Sequence, residues 1–428
     1  MNYDTISVIG LGYIGLPTAA VIASRRKQVI GVDINQHAVD TINRGDIHIV
    51  EPELDIVVHA AVKEGYLRAA TRPESADAFL IAVPTPFKAE NGNDHVPDLT
   101  YIESASKAVA QVLKAGDLVI LESTSPVGAT EQMAAWLAEA RPDLTFPQTH
   151  GEASDIRIAH CPERVLPGHV VRELVENDRV IGGMTAKCSA AATALYQIFV
   201  EGECITTTAR TAEMAKLTEN SFRDVNIAFA NELSIICDKI DISVWELIRL
   251  ANRHPRVNIL QPGPGVGGHC IAVDPWFIVS ETPDEARLIR TAREVNDGKP
   301  QWVVDKVNEA VGKYLSANPD KTARDVTIAC FGLAFKPDID DLRESPALKI
   351  AEAIVAKHPG QSMMVEPNIG SLPGEKLGDA QLVDMNDALE SADVLVMLVD
   401  HKPFKNIIVK DTDRDYLIDT RGVWAEKN

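Results

Sequence analysis

Cys270 stands in GVGGHCIAVDP (265–275), just after Gly267 and Gly268 and four residues before Asp274. The stretch RHPRVNILQPGPGVGGHCIAVDP (253–275) is too rich in glycine and proline to form a regular element. Small neighbours leave a thiol accessible and let backbone N–H groups approach whatever it attacks. Cys270 is therefore a candidate nucleophile, with a structural thiol left open on these residues alone. His269 is adjacent and points to the other side of an extended chain, a poor geometry for a Cys–His ion pair. It also lacks partners at metal-ligand spacing, so no metal site is expected.

A second group lies in TAEMAKLTENSFRDVNIAFANELSIICDKI (211–240), which has no Pro or Gly and reads as one long helix. Lys216, Asn220 and Arg223 recur at i, i+4 and i+7 as a polar stripe. On periodicity such a stripe is a solvated face. Met214, Leu217, Phe222, Val225, Phe229, Leu233 and Ile236 form an apolar face expected to be the buried one. Further upstream, Glu163 and Arg164 follow Pro162 in IRIAHCPERVLPG (156–168), at the end of an expected strand. Residue type alone makes them a solvated ion pair.

The elements that would position these groups begin with GLGYIG (10–15), between the β-branched run DTISVIG and the helical LPTAAVIASRR. In G-x-G-x-x-G, Gly10 permits the tight turn, Gly12 lets backbone approach a pyrophosphate, and Gly15 lets helix pack closely on strand. The helix N-terminus offers free N–H groups to phosphate. Asp33 ends the next strand, where it would accept from a ribose diol and repel a 2′-phosphate, which favours NAD over NADP. Strands ADAFLIAVPTP (76–86) and DLVILESTSPVG (117–128) run into polar loops carrying Thr85, Ser123 and Thr124, at the sheet edge where ligands bind. Each is a cofactor contact or a helix cap.

Near the C-terminus, DVTIACFGLAFK (325–336) is another strand ending in a glycine turn, and SADVLVMLVDHKPF (391–404) parallels SADAFLIAVPTPF (75–87). The outer parts are thus similar α/β units joined by a helical middle. The second lacks G-x-G-x-x-G and is not expected to bind a dinucleotide in the same way. Lys336 and Arg343 end its first strand, facing either solvent or a phosphorylated ligand.

The 428 residues carry 42 Lys and Arg against 62 Asp and Glu, a formal net charge of −20. Such a chain repels nucleic acid, although local Arg and Lys still suit a phosphorylated small molecule. No apolar run reaches the roughly 18 residues of a membrane helix. The first residues are not a secretory signal, so a cytoplasmic protein is expected. The six cysteines form no C-x-x-C pair.

GLGYIGLP (10–17), STSPVG (123–128), CPER (161–164), AKLTENSFRDVNIAFANEL (215–233), GVGGHCIAVDP (265–275) and GLAFKPDIDDLRESPA (332–347) occur here in order. By these motifs the chain resembles the UDP-glucose/GDP-mannose dehydrogenases along nearly its whole length. GGHC and RHPRVN resemble the branch acting on N-acetylated sugars, whose products enter surface polysaccharides such as enterobacterial common antigen. The stereochemistry at carbon two, manno or gluco, stays open.

The resemblance implies an α/β fold of two Rossmann-like doubly wound domains joined by a long central helix. The NAD-binding domain would span 1–205, the helical middle 206–300 and the UDP-sugar domain 301–428. It also implies a four-electron oxidation with NAD as acceptor, in which Cys270 forms a thiohemiacetal and then a thioester. Lys216 and Asn220 would hydrogen-bond the reacting oxygen, and Asp274 and Glu163 would orient water. Gly10, Gly12, Tyr13, Ile14, Gly15, Asp33, Thr85 and Thr124 would bind NAD. Arg164, Val165, Lys216, Asn220, Arg223, His254, Arg256, Gly267, Phe335, Lys336, Arg343 and Arg421 would line the UDP-sugar site. A homodimer built on the long helix is implied, with Arg256 donated across it. The stretch between Arg256 and Cys270 is shorter than in the UDP-glucose branch. Two-electron β-hydroxyacid dehydrogenases share the glycine motif and the Lys–Asn pair but lack the GGHC thiol and the second α/β unit. A non-enzymatic NAD sensor would need none of Cys270, Lys216 and Asn220.

Overall fold

The computed structural model describes residues 3–49, 51–90, 93–165, 168–268, 271–407 and 416–424. The chain divides into two compact units, residues 1–219 and 220–428.

The first unit holds β1 (Thr5–Ile9), β2 (Gln28–Val32), β3 (Leu67–Ala70), β4 (Ala78–Ile81), β5 (Phe87–Glu90), β6 (Asn93–Pro97), β7 (Leu118–Leu121), β8 (Arg157–His160), β9 (Arg179–Gly183) and β10 (Cys204–Thr208). β5 and β6 form a separate antiparallel hairpin, and the others make one sheet in the order β10-β9-β8-β7-β4-β1-β2-β3. All its pairings are parallel except β8 with β9. The apolar runs are explained by helices on both faces. Alternate residues of β7 enter opposite cores: Leu118 and Ile120 one, Val119 and Leu121 the other. Strand order reverses between β1 and β4, which makes their carboxyl ends the crevice where a ligand binds.

The second unit repeats the plan with β11 (Ile328–Phe331), β12 (Ser362–Val365), β13 (Gln381–Leu382), β14 (Val394–Met397) and β15 (Leu417–Asp419), ordered β13-β12-β11-β14-β15 and parallel throughout. The shared Ser-Ala-Asp has one job in both units. Asp77 accepts from the backbone N–H of Asp4 and Thr5 at 3.0 Å, and Asp393 accepts from that of Thr327 at 2.8 Å. Each pins the start of its unit's first strand beside the fourth. The glycine turns match as well, with φ +92° at Gly10 and +89° at Gly332.

Two helices are long, Ala209–Lys239 and Arg287–Ala317. The apolar face of the first is divided: Leu217 is buried and Val225 and Leu233 are half-buried. Met214, Phe222, Phe229 and Ile236 are exposed, whereas Glu213, Lys216, Asn220, Asp224 and Asn231 are buried. Periodicity alone puts the polar stripe at the surface, yet Lys216 and Asn220 are inside beside Glu213, Asp224 and Asn231, and all of these but Lys216 find partners there. Asp224, for example, accepts from Arg293 at 2.6 Å and from Asn296 at 2.8 Å. Arg223 alone of the predicted stripe is exposed.

Candidate active site

The glycine turn separates its three glycines by physical role. A Cβ on Gly10 would lie 2.7 Å from the Ala82 carbonyl oxygen, and one on Gly15 only 1.7 Å from that of Gly10. Both glycines are demanded by the fold. A Cβ on Gly12 would meet nothing within 4 Å, so its place is held open for something outside the chain. Helix Gly15–Ser24 starts here with Ile14 at its N-cap and no side-chain cap, which suits its N–H groups to phosphate. Asp33 closes the cradle, accepting from Leu11 N–H and Asn35 N–H at 2.9 Å each. These residues fit a dinucleotide. Beside them Ile34, which sequence reasoning missed, is 91% exposed, an apolar side chain set on the rim of that cradle.

In the second unit the acid after the second strand is Glu366, which accepts from Leu333 N–H at 2.7 Å and meets His401 Nε2 at 3.0 Å, both side chains fully buried. There the carboxylate is turned inward to the protein's own groups.

Tyr13 and Ile14 sit on the turn, partly exposed. The Thr85 hydroxyl is buried and has no partner among the described residues. Ser123 donates to the Val83 carbonyl at 2.7 Å, tying the Thr85 and Thr124 loops together. Neither threonine caps a helix: the neighbouring N-caps are Leu99 and Gly128.

Glu163 is not the solvated acid that its type suggested. It is buried, and Arg179 donates to it at 2.5 Å. The β8–β9 register explains the pair. Ala159 faces Gly183 and His160 faces Gly182, so an antiparallel continuation sets Glu163 opposite Arg179. Arg164 turns instead to Glu219, with contacts of 2.6 and 3.1 Å, and Val165 packs on the core. Glu213 holds the STSPVG loop to the long helix. It accepts from Gly128 N–H at 2.7 Å and from the Thr130 N–H and hydroxyl at 2.8 and 2.6 Å. Burial pushes its carboxyl up. It lies one turn before Lys216, a spacing that would have identified it.

Lys216 is buried and makes no hydrogen bond or ion pair among the described residues. A buried ammonium without an anion is costly, which marks the position as one awaiting a ligand oxygen. One turn later Asn220 Nδ2 donates to Asp274 Oδ2 at 2.5 Å, both residues buried. Asp274 opens helix Asp274–Glu281 with Pro275 behind it.

The second unit also shows why the loop before Cys270 is glycine-rich. A Cβ on Gly263 would lie 2.7 Å from Arg421, and one on Gly267 2.6 Å from the Glu344 carbonyl and 3.1 Å from Phe335. Gly268, at φ +84°, abuts the Phe335 ring. The loop thus brings Gly267, Phe335 and Arg421 together. Arg421 pairs with Asp400 at 2.8 Å, and exposed Arg343 pairs with Asp341 at 2.6 Å. Lys336 is half-buried, while His254 and Arg256 are exposed and their segment folds back, Arg256 N–H donating to His254 Nδ1 at 3.3 Å. His269 and Cys270 lie outside the described residues. No group of three or more His, Cys, Asp or Glu suited to a metal occurs among the described residues.

The domains of one family account for the order of these parts. Residues 4–200 match the NAD binding domain of the UDP-glucose/GDP-mannose dehydrogenases, 210–298 their central domain and 329–426 their UDP binding domain. The chain belongs to this family. Family membership makes it an NAD-dependent nucleotide-sugar dehydrogenase. A Yersinia pestis UDP-N-acetyl-D-mannosamine dehydrogenase is 70% identical over 424 residues, 99% of this chain and 100% of the relative. An NDP-N-acetyl-D-galactosaminuronic acid dehydrogenase of Ralstonia nicotianae is 64% identical over 430 residues, 100% of this chain and 98% of the relative. Among solved structures, a UDP-D-ManNAc dehydrogenase from Pyrococcus horikoshii superposes with a TM-score of 0.85 at 38% identity, covering 99% of this chain and 96% of that one. No helix among the described residues of this dehydrogenase is long and apolar enough to cross a membrane.

Proposed function

We infer that this chain oxidises UDP-N-acetyl-D-mannosamine to UDP-N-acetyl-D-mannosaminuronate, two NAD being reduced per sugar. The observation that carries the reading is 70% identity, over the full length of the relative, to a dehydrogenase named for that sugar. The product would serve surface polysaccharide of the enterobacterial common antigen type, and a cytoplasmic location follows from such a substrate and cofactor.

Bound NAD supplies the hydride acceptor, held by Gly10, Gly12, Tyr13, Ile14, Gly15, Asp33, Thr85 and Thr124. The rest of the chemistry falls to the chain. The Cys270 thiolate attacks the C6 aldehyde left by the first oxidation, forming a C–S bond and an alkoxide that takes a proton. This thiohemiacetal keeps the hydrogen that the second oxidation removes, and covalent capture prevents aldehyde escape. The resulting thioester is cleaved by water, which releases the carboxylate and returns the thiol. Lys216 and Asn220 stabilise the reacting oxygen, first alkoxide and then oxyanion. Asp274 and Glu163 are the carboxylates that orient water. Arg164, Val165, Arg223, His254, Arg256, Gly267, Phe335, Lys336, Arg343 and Arg421 bind the UDP-sugar.

The working form in this reading is a homodimer. Phe222, Phe229 and Ile236 recur every seven residues on the long helix and are exposed in the single chain, as an unpaired helix seam would be. Arg256 is then available to the partner's site.

The test is the NADH formed when limiting UDP-N-acetylmannosamine is consumed to completion, with the N-acetylglucosamine and N-acetylgalactosamine compounds alongside. Two NADH per sugar for the manno compound alone is expected. One per sugar removes the thioester, and turnover of another epimer alone reassigns the substrate. C270S should bind the sugar nucleotide yet form no acid at the normal rate.

A further inference from the structure

Behind Glu163 lies a second buried acid that the reaction does not use. Glu122 follows the last residue of β7, and the β7–β8 pairing of Leu121 with His160 sets it level with Cys161. Tyr196, the last residue of helix Ala186–Tyr196, donates its hydroxyl to Glu122 Oε1 at 2.8 Å. Glu122 Oε2 has no partner among the described residues, and neither has Arg179 Nε. The other Arg179 nitrogens are committed, Nη1 to Glu163 at 2.5 Å and Nη2 to the Leu174 carbonyl at 2.9 Å. Its guanidinium carbon lies 5.8 Å from the centre of the Tyr196 ring. Glu122, Cys161, Glu163, Arg179 and Tyr196 are all at most 5% exposed.

The cluster thus holds two carboxyl groups and one permanent cation. Glu122 faces Cys161 and Glu163 from the β8 end, Arg179 from β9 and Tyr196 from the helix. His160 alternates to the opposite face of the sheet. Burial, then the charge of Glu163, push the Glu122 carboxyl up to about 8, against the pull of Tyr196 and Arg179. Cys161 and Tyr196 are also pushed up by burial and stay neutral.

We propose that Glu122 is a positioning residue for Glu163, whose proton keeps the single guanidinium of Arg179 committed to Glu163. While Glu122 is neutral, Glu163 is the cluster's one anion and its Oε2 is fixed by Arg179, with Oε1 accepting from Arg164 N–H at 2.6 Å. When Glu122 releases its proton to solvent, a second buried carboxylate competes for the same cation and Glu163 loses its orientation. The inference rests on the reading that Glu163 acts in the reaction.

The experiment compares kcat and KM of wild type and E122Q from pH 6.5 to 9.5, and follows the protonated-carboxyl band of the wild-type enzyme by infrared difference spectroscopy. Glutamine still accepts from Tyr196 and cannot ionise. The ratio of E122Q to wild-type kcat is expected to climb above pH 8, by about tenfold per unit once Glu122 is ionised, with KM unaffected. The wild-type band is expected at pH 7 and lost by pH 9.5. Y196F, which removes a bond favouring the ionised form, should move that loss to higher pH and so assign the band. A kcat ratio independent of pH overturns the role. Absence at pH 7 of any protonated-carboxyl band that responds to Y196F overturns the proposal without substrate, even if E122Q does not fold. Absence of turnover with any of the three sugars would instead defeat the functional reading and leave the infrared test standing.

Discussion

Asn220 and Asp274 form a buried side-chain pair, the amide donating to Oδ2 at 2.5 Å, although 54 residues separate them. Asn220 cannot turn away without losing this bond to a buried carboxylate, and Asp274 is fixed at the start of its helix. The pair therefore orients the asparagine amide one turn from Lys216. D274N replaces the acceptor oxygens by a group that can present a donor to a donor. We expect kcat to fall at least about tenfold, with KM for the UDP-sugar changed less than about threefold. Loss of the buried hydrogen bond should also cost about 1–3 kcal/mol of stability. Steady-state kinetics and denaturant unfolding of the same variant check both.

Gly12 and Gly15 make a second contrast, since one is open to the outside and the other is packed. G12A meets no atom of the chain within 4 Å. It should fold with a thermal midpoint close to wild type and lose at least about tenfold in NAD affinity, because the methyl occupies the space left for pyrophosphate. G15A puts a methyl 1.7 Å from a carbonyl oxygen and should unfold the turn. D33A should weaken NAD with little effect on UDP-sugar binding. Calorimetric titration of each folded variant with NAD decides; unchanged NAD affinity in G12A would remove the glycine turn from the cofactor site.

Local pattern announced some of this architecture and was silent on the rest. The turn at Gly10, the acid at Asp33 and the repeated Ser-Ala-Asp are local, because each depends on backbone conformation or on neighbouring strand starts. The uninterrupted run 211–240 also shows its long helix, but the burial of Glu163 and of the helix's polar residues is not local. Glu163 is buried because an antiparallel strand, β9, sets Arg179 opposite it, and register across a sheet is not a local property. On the helix, amphipathic pattern assigns the apolar residues to the interior. Here Asp224 and Asn231 lie inside as well, because Arg293 and Asn296 hydrogen-bond them there. Phe222 and Phe229 are left outside.

His160 gives the protein an acid-sensitive point. It is fully buried with neither ring nitrogen partnered among the described residues, and burial lowers its imidazole to about 3. The folded value lies below the unfolded value of about 6.5. The unfolded chain therefore binds the extra proton between these limits, and the contribution present above pH 6.5 is lost as pH falls through that window. At pH 5 the loss is about 2 kcal/mol relative to pH 7. H160L should thus be more acid-tolerant, its stability relative to wild type improving by about that amount from pH 7 to pH 5. Urea unfolding at both pH values measures it, and an equal difference at both would show that His160 is not held neutral.

The exposed seam of the long helix yields the last prediction. Phe222 and Phe229 are 69% and 51% exposed in the single chain, and Ile236 45%. A fully buried phenylalanine contributes about 1.5–3 kcal/mol relative to an exposed one, so a pair contributed by each of two protomers is a large share of an association energy. If the proposed dimer uses this seam, F229D places a charge in its apolar centre and should shift the protein from dimer to monomer at micromolar concentration in sedimentation velocity. The monomer should keep its NAD affinity, because the glycine turn lies elsewhere in the chain. It should lose UDP-sugar turnover if Arg256 completes the partner's site. R256A, by contrast, should weaken the UDP-sugar and leave the sedimentation coefficient that of the dimer. A wild-type protein that sediments as a monomer would remove both the dimer and the shared arginine.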